Sequence, residues 1–308
     1  MIICITPNPA IDRTLILPRL VAGKVHRAEQ VIVAAGGKGL NVARAISTLG
    51  GESLCMGFLG GHTGHLLADL AQNAGLASAW TWTHSETRTC TILVAQNGDG
   101  TVINEAGPRV SKSAWQQLNR DVRKNISTTN LVCVSGSLPS DSSTQYLYRL
   151  LKMLVRAKKQ VWVDASGSAL EAALALPGIC IKVNKTEISE SLGFEVKNMA
   201  AAKRALKTIR DRGVAACIIT LGAAGALLAT SVGNWYARGP RVRVVSTVGS
   251  GDSLLGGLAN ALDHGSNWPE ALRTAVAAGT ANSLSPGGGE FALQQFKDIR
   301  EQVVVQTW

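Results

Sequence analysis

Short runs that are apolar at nearly every position recur along this chain: Ile2–Ile5, Ser53–Phe58, Leu131–Ser135, Gln160–Asp164, Ile179–Val183 and Ala216–Thr220. Stretches with apolar residues every three to four positions separate most of them, among them His65–Ala74, Ser111–Lys124, Thr144–Ala157 and Ala200–Arg212. Strands with no polar face must be covered on both sides. Their alternation with helices predicts an α/β fold with a central, mostly parallel sheet. In such folds ligands sit beyond the carboxyl ends of the strands. Two segments break the rhythm. Residues Thr14–Ala34 and Thr87–Ile103 alternate polar and apolar with no helix between, as antiparallel hairpin pieces do, and Gln96-Asn97-Gly98-Asp99-Gly100 reads as a turn. No linker, low-complexity tract or internal repeat divides the chain, which predicts one α/β domain over residues 1–308.

Composition narrows the function classes. The 308 residues suffice for a large core, and 46% hydrophobic with 17% charged residues fits a globular protein. No apolar run reaches the ~18 residues that span a bilayer, and Met1–Thr6 lacks the basic region and cleavage site of a signal peptide. The formal charge is +10. The denser basic patches, Arg149–Lys159 and Lys203–Arg212, fall on helix-patterned stretches and read as solvated helix faces. With no zinc-finger, RNP or basic-heptad pattern, a nucleic-acid partner is not expected. The six cysteines, Cys4, Cys55, Cys90, Cys133, Cys180 and Cys217, are scattered without a C-x-x-C pair, which suits buried thiols in a reducing cytoplasm. His26, His62, His65, His84 and His264 show no metal-ligand spacing.

Two glycine clusters carry the chemistry. In Ser246-Thr247-Val248-Gly249-Ser250-Gly251-Asp252, a strand-like Arg241–Val245 leads into a turn that opens a helix-like run, Ser253–Leu262. Orphan amides and the helix dipole make such a turn an anion site. A carboxylate at its mouth suits removal of a proton beside a phosphate in transfer, although an aspartate there also serves as an N-cap. The second cluster, Gly36-Gly37-Lys38-Gly39-Leu40-Asn41, follows the apolar run Val31–Ala34. It leads into a helix pattern with Leu40, Ala43, Ile46 and Leu49 on one face and Gly50-Gly51 as its stop. Neither the P-loop spacing nor the dinucleotide fingerprint is present. Asn41 offers both donors and an acceptor, which suits sugar hydroxyls.

These clusters, together with Thr6-Pro7-Asn8-Pro9-Ala10-Ile11-Asp12, Val102–Pro108 and Val134-Ser135-Gly136-Ser137-Leu138-Pro139, resemble the ribokinase/PfkB carbohydrate kinase superfamily. Within it they resemble the phosphosugar branch of 1-phosphofructokinase, tagatose-6-phosphate kinase and minor 6-phosphofructokinase. The resemblance spans nearly the whole chain in order. It implies a ribokinase-like three-layer fold in which segments 14–34 and 87–103 form a small β-sheet lid, often a homodimer contact. It also implies ATP and Mg²⁺ as co-substrate and cofactor, and a sugar phosphate as the small-molecule partner.

Residue by residue, the resemblance makes Asp252 the general base, with Gly249, Ser250 and Gly251 giving amides to the transferred phosphoryl group. Serine stands at 250 where relatives commonly carry alanine. Asp12 matches the sugar-hydroxyl ligand, although it also fits a turn after Pro9. Gly36, Gly37, Lys38 and Asn41 match the rest of the sugar clamp, and Ser137 matches a sugar or phosphate contact. Arg88 matches the arginine that holds the phosphate already on the sugar, and Lys24 and Arg27 would complete that anion pocket. Lys182-Val183-Asn184-Lys185-Thr186-Glu187 resembles K-P-N-x-x-E, with Val183 in place of proline. It assigns Lys182 and Asn184 to the nucleotide and Asn184 and Glu187 to the metal. Asp164, ending its strand, either orients Lys182 or the metal, or caps the next helix. Thr220-Leu221-Gly222-Ala223-Ala224-Gly225 resembles the nucleotide loop, and Asn282 is the polar candidate for the adenine pocket. The resulting expectation is an ATP-dependent kinase of fructose 1-phosphate, tagatose 6-phosphate or fructose 6-phosphate. The alternatives are a kinase of an unphosphorylated sugar or nucleoside, and a non-catalytic sugar-phosphate sensor.

Overall fold

The computed structural model describes residues 1–95 and 100–308. Its first half contains β1 (Ile2–Thr6), β2 (Ala10–Leu17), β3 (Gln30–Gly36), α1 (Lys38–Thr48), β4 (Ser53–Gly60), α2 (Gly61–Asn73), β5 (Ser78–Thr83), β6 (Arg88–Ala95), β7 (Gly100–Asn104), α3 (Lys112–Asn125), β8 (Leu131–Ser135) and α4 (Thr144–Arg156). The second half contains β9 (Gln160–Asp164), α5 (Gly167–Leu174), β10 (Cys180–Asn184), α6 (Lys185–Leu192), α7 (Met199–Asp211), β11 (Ala216–Thr220), β12 (Ala226–Thr230), β13 (Asn234–Arg238), α8 (Ser250–Asp263), α9 (Trp268–Asn282), α10 (Leu293–Gln302) and β14 (Val304–Thr307).

The six apolar runs seen in the sequence become neighbours in one sheet, in the order β11-β10-β9-β8-β1-β4 and all parallel, with β5 added in parallel beside β4. β1 shows why such a run has no polar side: Ile2 and Cys4 enter the core on one face of the sheet, Ile3 and Ile5 the core on the other. Helices α1, α2, α8, α9 and α10 cover the first face, and α3, α4, α5 and α7 cover the second. All six cysteines are buried free thiols. Among the described residues, no helix is long and apolar enough to cross a membrane.

The two alternating segments form a separate four-stranded sheet, ordered β3-β2-β6-β7, in which β2 and β6 run parallel at the centre. The segment leading into β6 is clamped to the start of α2. The Glu86 carboxylate accepts from the amides of His62 and Thr63 and from the Thr63 hydroxyl, and the Gly60 amide donates to Thr87 Oγ1. Three bonds from the Thr63 hydroxyl and the Thr63 and His62 amides hold Glu86 down to a pKa of about 2.

The structure corrects three readings. β2 begins at Ala10, so Asp12 lies within a strand rather than in a turn after Pro9. Arg241–Val245 forms no strand: Val244 and Val245 are exposed, and the Val245 and Ser246 amides donate to Ser283 O instead of to a neighbouring strand. An alternating Arg-Val pattern carries no buried face for a sheet to cover. The main sheet also continues past β11 through antiparallel β12, β13 and β14, where the alternation signal is short and broken by Gly225 and Gly233. Residues 96–99 of the expected Gln96–Gly100 turn lie outside the described residues.

Candidate active site

A cleft of about 650 Å³ opens where the carboxyl ends of β8, β9 and β10 meet the small sheet and the start of α8. From the small sheet come Ala10, Asp12, Arg88, Cys90 and Asn104. Asp12 pairs across to Cys90, and Cys90 to Asn104, so the three share one face of that sheet. From the ends of the main sheet come Gly136, Ser137, Ser166, Lys182, Asn184 and Glu187, and α1 and α8 add Gly37, Lys38, Asn41, Gly249, Gly251 and Asp252.

Gly249 caps α8 with φ +74°, a left-handed conformation that glycine adopts without cost. A Cβ there would sit 2.4 Å from Gly288 Cα, so the turn also needs the missing side chain for space. Helix geometry leaves the first-turn amides of α8 without intrahelical acceptors. Beneath that turn lies the Lys182 ammonium, so close that a Cβ on Gly251 would be 2.6 Å from Nζ. The turn therefore combines amide donors, a helix dipole and a buried cation, all of which favour an anion.

Asp252 sits in the first turn, 6% exposed, and its Oδ2 accepts from Asn41 Nδ2 at 2.8 Å. Burial pushes its carboxyl upward and Asp164 adds repulsion, against the opposing pull of Lys38, Lys182 and Asn41. Asp164 accepts from Lys182 at 2.7 Å and from Lys38 at 2.9 Å. Burial would raise Asp164, but the two ammonium groups outweigh it and hold it below the carboxylate range. Two neighbouring buried carboxylates are thus driven apart, one kept charged by its lysines and the other poised to take a proton. Of the two roles open to Asp164, orienting Lys182 fits its contacts, and Ser166 takes the position that caps α5.

The expected sugar clamp is divided. Asp12, Gly37 and Asn41 reach the cleft, while Gly36 backs it, a Cβ there falling 2.1 Å from the Asp12 carboxyl carbon. Burial pushes Asp12 up to about 6, against the pull of Arg44 and Arg88. Lys38 turns away from this group and bridges Asp164 and Glu187. Asp164, Asp252 and Glu187 hold it well above the ordinary lysine range, against the desolvation that would lower it. Arg88 lines the cleft and is fixed by donating to Asn8 O and Glu105 O, with its Nε unpartnered among the described residues. Ser137 Oγ accepts from Asn8 Nδ2 at 3.1 Å. Lys24 and Arg27 lie exposed on the connection between β2 and β3, outside the cleft wall.

On the opposite side, Asn184 and Glu187 form the capping box of α6. Asn184 Oδ1 accepts from the Thr186 and Glu187 amides, and Glu187 Oε2 accepts from the Asn184 amide, which leaves Oε1 to Lys38. Among the described residues no cluster of three acidic, histidine or cysteine side chains is set to cage a metal. One cleft-lining carboxylate with an amide oxygen beside it still fits Mg²⁺, which keeps most of its waters and takes phosphate oxygens as ligands.

Thr220 ends β11 in register with Asn184, while Gly222 (φ +61°) and Gly225 (φ +93°) bound a short helical turn. A Cβ on Gly225 would meet Ala237 O at 2.0 Å, so packing on β13 alone requires that glycine. Ser250 does not line the cleft and takes a 3.4 Å bond from Asn282 Nδ2. Asn282, expected in the adenine pocket, does not line the cleft. The residue is fully buried, its Oδ1 accepting from Ser253 Oγ and the Gly289 amide and its Nδ2 donating to Val248 O. The side chain that sequence reading missed is Arg44, which contacts Asn41 from within α1. Its signal was there: a charged residue three positions after Asn41, beside the apolar Ala43 and Ile46 of a buried helix.

The family model described as pfkB family carbohydrate kinase matches residues 3–295. A tagatose-6-phosphate kinase of Staphylococcus epidermidis is 30% identical over 308 residues, covering 99% of both chains. Phosphofructokinase-2 from Escherichia coli superposes with a TM-score of 0.92 at 28% identity, over 98% of both chains. The same enzyme solved in complex with fructose-6-phosphate gives 0.89 at 27% identity, over 97% of this chain and 98% of that one.

Proposed function

The chain belongs to the pfkB family of carbohydrate kinases, and from that premise we propose that it transfers the γ-phosphoryl group of ATP to a hydroxyl of a ketohexose phosphate. The observation that carries this reading is the pairing of Asp252 with the anion-binding turn of α8 at one end of a cleft whose far wall holds Arg88. A site for an unphosphorylated sugar has no use for a guanidinium there, whereas the planar fork of arginine suits a phosphate dianion. The S. epidermidis relative and the E. coli neighbour, named for a phosphosugar kinase and solved with a phosphosugar, support the same class.

In this reading Asp12 and Asn41 hold the sugar hydroxyls and Arg88 its phosphate. Lys24 and Arg27 add charge to that end when their connection closes over it. Asp252 takes the proton of the acceptor hydroxyl as its oxygen attacks the γ-phosphorus. The new O–P bond forms as the bond to the bridging oxygen of ADP breaks, the electron pair leaves with ADP, and the proton passes from Asp252 to solvent. Amides of Gly249 and Gly251, with Lys182 beneath them, meet the charge on the phosphoryl oxygens, while the Ser250 amide, expected to join them, donates to Thr247 O. Lys182, Asn184 and the 220–225 turn face the nucleotide. Glu187 and Asn184 would hold Mg²⁺, which neutralises phosphate charge when bound.

The small sheet acts as a lid, and its outer face is where we place a second copy of the chain. Val31, Val33 and Ile103 are 46%, 37% and 53% exposed. Register through β2 and β6 puts them on the side opposite Asp12.

ADP release with Mg-ATP across fructose 1-phosphate, fructose 6-phosphate, tagatose 6-phosphate, fructose and ribose tests the reading. Turnover confined to phosphosugars is expected. Turnover confined to free sugars would overturn the phosphate pocket.

A further inference from the structure

Arg44 is a buried arginine, 9% exposed, with no carboxylate among the described residues within ion-pair distance. Desolvation pulls its pKa down, and Glu290, Asp12 and Asp252 act on it only from a distance. A buried charge without a close partner is costly, so the contacts it does make require a reason. All go to neutral oxygens on three different segments. Nη2 donates to Ala35 O at the end of β3. Nη1 donates to Gly288 O, on the loop behind the Gly249 turn, at 2.9 Å, and to Asn41 Oδ1 at 2.7 Å.

The third contact has a chemical consequence. A side-chain amide can present either end to a neighbour, but a guanidinium only donates. Once Arg44 claims Asn41 Oδ1, the amide must present Nδ2 to the other side, where it donates to Asp252 Oδ2. Reversed, Asn41 would set an oxygen against that carboxylate. With Oδ2 tied, the second oxygen of Asp252 is left for the acceptor hydroxyl.

We propose that Arg44 is a positioning residue for the phosphoryl transfer, acting through Asn41 to orient and ionise Asp252. The inference rests on the assignment of Asp252 as base. The charged groups facing Asp252 are Asp12 from β2, Lys38 and Arg44 from α1, Asp164 from β9 and Lys182 from β10. Removing Arg44 leaves the other four in place and takes away the constraint on the amide. Asp252 then loses a donor to its charged form, and its protonation moves to higher pH.

The test is the pH profile of kcat/KM for Arg44→Met, Asn41→Leu and the double variant, beside Asp252→Asn, with folding followed by circular dichroism. Arg44→Lys replaces Arg44→Met should the latter not fold, because one ammonium cannot serve three acceptors in fork geometry. The expected result is an acid limb raised by about one pH unit in each single variant, the worth of a hydrogen bond to a charged group. The double variant should move no further, because both changes act on one contact. Lower Tm with an unmoved acid limb in Arg44→Met (or its replacement), or additive shifts in the double variant, would overturn the inference and make Arg44 a structural tie. Wild-type turnover by Asp252→Asn would instead remove the base assignment, and the Arg44 proposal with it.

Discussion

Arg88 and Asp12 shape the small-sheet side of the cleft by opposite means. Arg88 is held by two backbone carbonyls and lines the cleft, so its contribution is charge and geometry. Replacing it with alanine should raise KM for the sugar phosphate ~10- to 100-fold, as expected for a charge-assisted contact of ~1.5–3 kcal/mol, and should change kcat little. An unchanged KM would favour an unphosphorylated acceptor. Asp12 carries a carboxyl raised to about 6 from its ordinary 3.8, chiefly by burial. The folded protein therefore binds its proton more tightly than the unfolded chain does. Stability falls as pH rises from near 4 through 6, and the penalty is complete above that window. Asp12→Asn should raise Tm by a few degrees at pH 8 but not at pH 3.5, while weakening sugar-phosphate binding; thermal melts at the two pH values check the sign.

At the scale of elements, the α8 turn depends on backbone shape more than on side chains. Gly249→Ala places a Cβ at φ +74° and against Gly288. It should cost at least ~1–2 kcal/mol of stability and lower kcat by spreading the amides, read together by denaturant titration and steady-state kinetics. Here the limits of sequence reading are physical. Both glycine clusters and the run from β8 to β11 were legible, because strands buried on two faces and turns that open helices leave strong local patterns. The direction of a long side chain leaves none. Lys38 sits among the sugar-clamp glycines in sequence and donates to Asp164 and Glu187 in space. Asn282, a lone polar residue in an apolar helix, reads as a ligand contact in sequence, and in space it bonds backbone and hydroxyl groups around Val248 and Gly289. Arg44 was passed over because its three acceptors come from segments as far apart as Ala35 and Gly288.

For the whole molecule, the fold brings two charge systems to one cleft. Arg88 and Asp12 line it from the small sheet, and Lys182, paired with Asp164 behind it, lines it from the main sheet together with the α8 turn. The small sheet keeps an apolar outer face, and Val33→Asp with Ile103→Asp should convert a lid-to-lid dimer of twice 32.3 kDa into monomers, read by light scattering on a sizing column. A wild-type monomer would remove that assembly from the account. The central claim is that Asp252 removes the acceptor proton. Its most direct test is Asp252→Asn with the phosphosugar that the wild type turns over, measuring kcat alongside equilibrium binding of that sugar. The account predicts kcat reduced ~10²-fold or more, the scale of lost general-base catalysis, with sugar binding retained. A kcat close to wild type would contradict it.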